Sequence, residues 1–193
     1  MLPLLPRAGG AATGADTDWP CVQRLVPELA AGQLWGGTSL ADLPEGAKLA
    51  PTLEPLPAQL ADRSLAPEEA QKRIEAALAQ VPAGERKVQG ALLFRETLRI
   101  INGQRGTMIS GIKRYAKRQQ ALAQKINQDG RKLVELRRDP ARADAQQELA
   151  AERSWDMRVF DERQRSLRAV CDQPVLLEQR AFAISRLIQG QQQ

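Results

Sequence analysis

From Phe94 to Leu136 the chain places one residue after another in alternating steps of four and three: Phe94, Leu98, Ile101, Arg105, Met108, Ile112, Tyr115, Gln119, Leu122, Ile126, Asp129, Leu133 and Leu136. Ten of these thirteen are apolar. A repeat of 3.5 residues draws one stripe along a helix and keeps it turned toward a partner, as in a coiled-coil seam. The three polar members, Arg105, Gln119 and Asp129, are seam residues of the kind that set register at some cost in stability. So long a stripe needs an equally long cover, and the first question is where the chain finds it.

The turn signals answer that. Asp139-Pro140 ends the striped helix, which the pattern runs from about Glu85 to Arg138, roughly 80 Å at 1.5 Å per residue. Beyond it Leu149, Met157, Phe160, Gln164, Leu167 and Cys171 suggest a returning helical face. Two long helices joined by a short turn lie antiparallel, each covering the other's stripe. Residues whose numbers sum to about 280 should then face one another. Asp172-Gln173-Pro174 predicts a break in the returning helix, with Asp172 as N-cap of a last helix carrying Leu177, Ala181, Ile184 and Ile188. Upstream, Pro67 followed by Glu68 and Glu69 marks a helix start, and Pro82-Ala83-Gly84 marks its end. The expected fold is all-α: a long antiparallel helical hairpin, coiled-coil-like, with a kinked C-terminal helix, formed by residues 64–193.

Residues 1–63 read differently. Eight of the chain's twelve prolines lie there, and proline removes an amide donor and disfavours helix at the residue before it. The pattern allows at most a short helix or turn near Val22–Ala31. Yet Trp19, Val22, Leu25, Val26, Leu29, Leu34 and Trp35 are too many large apolar groups to leave in water. The segment is therefore expected to be an irregular, extended arm packed along the helices, anchored at Asp18-Trp19-Pro20-Cys21. Cys21 and Cys171 belong to no metal or redox motif. They are either two separate buried thiols or one disulfide tying the arm to the body in an oxidising compartment. Leu4-Leu5 followed by Ala8-Gly9-Gly10-Ala11-Ala12 resembles the tail of an export leader without its basic start. With the paired cysteines it leads to a periplasmic or otherwise exported location, against a cytoplasmic alternative. No stretch is long and apolar enough for a transmembrane helix.

Charge is unevenly placed. The whole chain has a formal net charge of +5, while residues 103–142 alone carry +8. The basic face consists of Lys113, Arg114, Lys117, Arg118, Arg131 and Lys132, with Arg105, Lys125, Arg137 and Arg138 nearby. Such a run can meet phosphates of nucleic acid or lipid. Antiparallel pairing brings Asp144, Glu148, Glu152, Asp156, Asp161 and Glu162 toward it, which favours a partly ion-paired, solvated face over a nucleic-acid site. A second oddity is the strip Gly103, Gly106, Ser110 and Gly111, with Thr107 among them: each glycine inside a helix costs about 1 kcal/mol relative to alanine. The strip is either a plain kink or a docking groove for the arm or a partner helix. Trp155 lies off the seam, either packed under the arm or serving as a binding hot spot.

Histidine is absent from the chain, which removes the commonest general base and zinc ligand. The acid pairs Glu68-Glu69 and Asp161-Glu162 have no partner at ligand spacing. These features lead to a non-enzymatic helical interaction protein of the bacterial envelope, an adaptor, assembly factor or holdase-type chaperone, with no cofactor, metal or catalytic residue. Its expected partners are proteins, a second copy of the chain among them, with peripheral membrane contact as a further candidate. The alternative is a cytoplasmic nucleic-acid-associated or scaffold protein using residues 105–138. The docking candidates are Trp19, Trp35, Gly103, Gly106, Ser110, Gly111 and Trp155.

Overall fold

The computed structural model describes residues 18–191. The leader-like segment lies outside the described residues. Among those described there are helices and turns and no strand. The elements are α1 (Ala31–Leu34), α2 (Leu56–Ala61), α3 (Pro67–Ala79), α4 (Arg86–Leu136) and α5 (Ala143–Gly190), with single 3-10 turns at Leu40–Asp42, Ala83–Glu85 and Pro140–Arg142.

α4 and α5 form the antiparallel hairpin. None of the thirteen stripe residues of α4 is exposed. The turn between the helices is held by Asp139, whose carboxylate accepts from the Ala141 amide at 3.1 Å while Pro140 begins the 3-10 turn. The predicted register holds along the seam. Arg105 meets Pro174, Tyr115 meets Arg163, Gln119 meets Phe160 and Ile126 meets Arg153, each pair summing to 278 or 279.

α5 corrects the reading in three places. It continues unbroken through Pro174, and Asp172 is no N-cap; its carboxylate instead accepts from Gln23 Nε2 at 3.2 Å. A proline inside a helix removes one backbone hydrogen bond and costs roughly 3 kcal/mol. Cys171, Pro174, Leu177, Ala181, Ile184 and Ile188 are all buried on one face, so the helix stays whole because packing on both sides of the proline outweighs that cost. Met157 and Gln164, assigned to the buried face, are exposed. The seam on this side runs instead through the half-buried Leu149, Arg153, Asp156, Phe160 and Leu167.

The hairpin is thick at one end only. There a single apolar cluster joins the arm, α2 and α3 to the first turns of α4 and the last turns of α5. Phe94, Leu53, Leu60, Ile74, Ile101, Leu177 and Ile188 are among its fully buried members. Trp35 stacks on Phe94 with ring centroids 4.8 Å apart and planes 11° from parallel. Its indole Nε1 donates to the Thr38 carbonyl at 2.8 Å. A Cβ on Gly37 would stand 2.8 Å from that indole ring, so the chain needs glycine to turn this closely around it. The arm is more ordered than the prolines imply: its helices are α1 and α2, beyond the Val22–Ala31 segment, and Leu56, Pro57, Leu60 and Ala61 are buried. Val22 is not part of the core, being 103% exposed, because Cys21 and Gln23 on either side of it turn toward α5.

Past Arg105 on α4, and before Pro174 on α5, the apolar cluster ends. From there to the turn the hairpin projects about 50 Å at 1.5 Å per residue, and α5 has no fully buried residue between Ala143 and Val170. The molecule is thus a packed head with a thin two-helix projection. Phe94→Ala should lower the unfolding free energy by about 3–5 kcal/mol. Leu136→Ala, at the half-buried tip, should change it by less than about 1 kcal/mol. Urea denaturation of the two variants checks this contrast.

Candidate functional site

The densest polar construction in the molecule lies where the arm crosses the hairpin. Cys21 and Cys171 are joined by a disulfide, Sγ to Sγ 2.04 Å, across a sequence separation of 150. Trp19 is half-buried and donates its indole N–H to the Gln23 carbonyl at 2.7 Å, which curls the arm into a tight loop around Cys21. Beneath this loop lies Arg105, a seam residue only 3% exposed. Its guanidinium donates to the Val26 carbonyl at 2.8 Å and to the carbonyl of Pro174. One side chain therefore joins α4, the arm and α5. Burial holds the Arg105 pKa below its ordinary value, with Glu178 opposing that shift. The expected crossing at position 109 is found, since Ile109 and Cys171 line the same small gap of about 50 Å³ under the arm.

The arm does not use the glycine strip. Gly103, Thr107 and Ser110 are exposed, and a Cβ added at Gly103 or Gly106 would meet nothing within 4 Å. At Gly111 the nearest atom would be the Arg114 guanidinium at 3.9 Å. The docking of the arm expected there is overturned. The arm runs along the flank of the hairpin, while the strip faces solvent. At its head end the strip opens into a groove of about 820 Å³, floored by Leu98 and walled by Leu29, Leu40 and Arg99.

Trp155 is likewise not under the arm. It is 61% exposed on the projecting part of α5, with the Arg158 guanidinium 5.4 Å from its ring. The other arm tryptophan, Trp35, is a core residue and offers no surface. Of the tryptophans named as docking candidates, Trp155 alone presents most of its area to solvent.

The basic run is neutralised chiefly at Lys125 rather than evenly along its length. Lys125 Nζ lies 2.6 Å from Asp156, 2.7 Å from Glu152 and 3.1 Å from Asp129. Hydrogen bonds to Asp156, Glu152 and Asp129 raise the Lys125 pKa well above its ordinary value. The three carboxylate oxygens lie within 4.8 Å of one another, a spacing that suits a divalent cation, and the ammonium stands among them. Asp129 is 3% exposed, and Lys132 approaches it only at 3.7 Å. Lys117 pairs with Asp18 of the arm at 3.0 Å. Arg114, Arg118 and Arg131 form no ion pair among the described residues. The expected pairing with Asp161 and Glu162 does not occur there.

Several working residues lie outside the sequence reading. Asn102 clasps the arm at Leu29, donating to its carbonyl at 3.1 Å and accepting from its amide at 3.0 Å. Gln89 does the same between Lys48 and Ala50. Arg180 donates to the Leu60 and Leu65 carbonyls, and Ser185 to that of Leu34. Burial lowers the Arg180 pKa, with Asp62 opposing. Asn102, Arg180 and Ser185 each adjoin a buried apolar residue, namely Ile101, Ala181 and Ile184. That was the available signal.

Two substitutions test these assignments. Arg105→Met strips donors from two backbone carbonyls and should destabilise by about 2–4 kcal/mol; Arg105→Lys should not restore both bonds, because an ammonium lacks the planar fork. Chemical denaturation of both variants reads the difference. Lys125→Met leaves three carboxylates facing one another without the ammonium that stands among them, and their mutual repulsion should lower the melting temperature. The melting temperatures of variant and parent at neutral pH and low salt read the difference. Added Ca²⁺ should stabilise this variant and leave the parent unchanged. No protein-family model, no curated protein and no solved structure matches this chain, so geometry and sequence alone carry the functional reading.

Proposed function

We propose that the chain is a non-enzymatic interaction protein of the bacterial envelope, an adaptor, assembly factor or holdase-type chaperone, whose head is the fixed part and whose projecting hairpin meets a protein partner. The observation that carries this reading is the shape of the hairpin. About 50 Å of paired helix extends past the core, and beyond the arm no other element lies against it among the described residues. Burial of apolar area does not require such a projection, since a thin pair of helices buries less per residue than the head does. Reach is its evident use. Trp155 stands on its outer surface, and a large exposed aromatic residue is the kind of side chain that anchors protein contacts.

Two further observations support the reading. The disulfide accords with an oxidising compartment. The most concentrated carboxylates of the described residues surround an ammonium, an arrangement that stabilises register and leaves no acid poised for proton transfer.

A photo-activated cross-linking residue placed at Trp155 should yield discrete protein adducts in the native host. The same residue at Thr52, exposed on the head, should not. Adducts of equal yield from both positions, or none from position 155, would sink the proposal. Thiol titration of the natively isolated protein, denatured without reductant, should find no free thiol if the chain is exported.

A further inference from the structure

The outer face of α4 carries more positive charge than the fold meets. From Thr97 to Arg138 the chain carries two acids, Asp129, which is buried in the seam, and Glu135, exposed near the hairpin tip. The acids of the returning helix that reach α4, Glu152 and Asp156, converge on Lys125. Arg114, Arg118 and Arg131 remain exposed without an ion pair among the described residues, flanked by Lys117 and Lys132, which reach Asp18 and Asp129. Arg137 and Arg138 extend the series to the hairpin tip. Between the two groups of cations the exposed residues Ala121, Gln124 and Gln128 are small or neutral. The result is a cationic strip about 36 Å long on one long, proline-free helix.

We propose that this strip lays the hairpin on an anionic bilayer, its guanidinium and ammonium groups meeting lipid headgroup phosphates. The face is one-sided and has no groove, which suits a flat surface. The gap from Arg118 to Arg131 is about 20 Å. Nucleic acid also offers phosphates, but holds them fixed on a curved backbone, whereas lipids diffuse laterally to wherever a cation stands. No aromatic platform for bases accompanies the strip: Tyr115 is half-buried, and its hydroxyl donates to the Arg163 carbonyl at 2.6 Å. Val134 near the tip is the exposed large apolar residue along this stretch, too little to insert deeply, so the contact is chiefly electrostatic and strongly salt-dependent. This inference is independent of the protein-contact role given to Trp155, which lies on the other helix.

The test is vesicle flotation of the intact protein at low salt. Vesicles of phosphatidylcholine containing phosphatidylglycerol should bind the chain, pure phosphatidylcholine should not, and high salt should release it. The triple variant R114Q/R118Q/R131Q should partition roughly a hundred-fold more weakly, at about five-fold per cation. The charge-matched triple R158Q/R165Q/R186Q on α5 should stay near the parent. Circular dichroism of both triples reports whether the fold is kept. The proposal is overturned by no binding to the anionic vesicles, by equal binding to the neutral ones, or by equal loss in the two triples. It is also overturned if duplex DNA or RNA binds more tightly than the anionic vesicles and loses that binding in the first triple.

Discussion

A segment rich in proline cannot satisfy its own backbone, and the whole head is organised around that deficit. From Leu29 to Leu65 the arm has only two short helices, so many of its amides and carbonyls have no regular secondary structure to bond with. Buried groups of that kind must find partners elsewhere. The long helices provide them through side chains: Gln89 at Lys48 and Ala50, Asn102 at Leu29, Arg105 at Val26, Arg180 at Leu60 and Leu65, and Ser185 at Leu34. These clasps hold the arm in place while its leucines and Trp35 complete the core. Without them the apolar cluster would have to bury bare carbonyls, each a loss of about 1–3 kcal/mol.

The same need explains why polar residues stand in the seam. Arg105 interrupts the apolar stripe at the point where the arm crosses and Pro174 enters α5. Asp129 interrupts it where Lys125 gathers the carboxylates of α5. Gln119 donates to the Phe160 carbonyl at 3.2 Å across the hairpin. Each polar layer has a partner that exists only in one register, so together they bar the helices from sliding by a turn. The projection can then keep its alignment with little buried apolar area.

Much of this was legible in the sequence. The stripe from Phe94 to Leu136, the turn at Asp139-Pro140 and the starts and stops at Pro67 and Pro82 are local patterns, and the structure has them where the residues put them. The facing of Lys125 with Asp156 and of Ile109 with Cys171 followed from the position of the turn alone. What escaped is non-local. Pro174 reads as a break, because a one-dimensional rule cannot see Cys171 and Leu177 packed on either side of it. Met157 reads as apolar and hence covered, and Trp155 as packed under the arm or as a binding hot spot; the cover ends where the arm does, and both are exposed. The clasps at Asn102, Arg180 and Ser185 were hidden for a related reason: a polar residue beside a seam looks like an ordinary surface residue until the segment it holds is placed.

The disulfide joins residues 150 apart in sequence, and that separation has a temporal meaning. Cys21 leaves the ribosome or a translocation channel long before Cys171 exists to receive it. Asp172 and Pro174, which hold the arm together with Arg105, are also made late. The arm, made before the hairpin, is therefore fastened after it. Until Cys171 is made Cys21 is a thiol without its mate, and the arm seals the head only after the hairpin has folded back on itself.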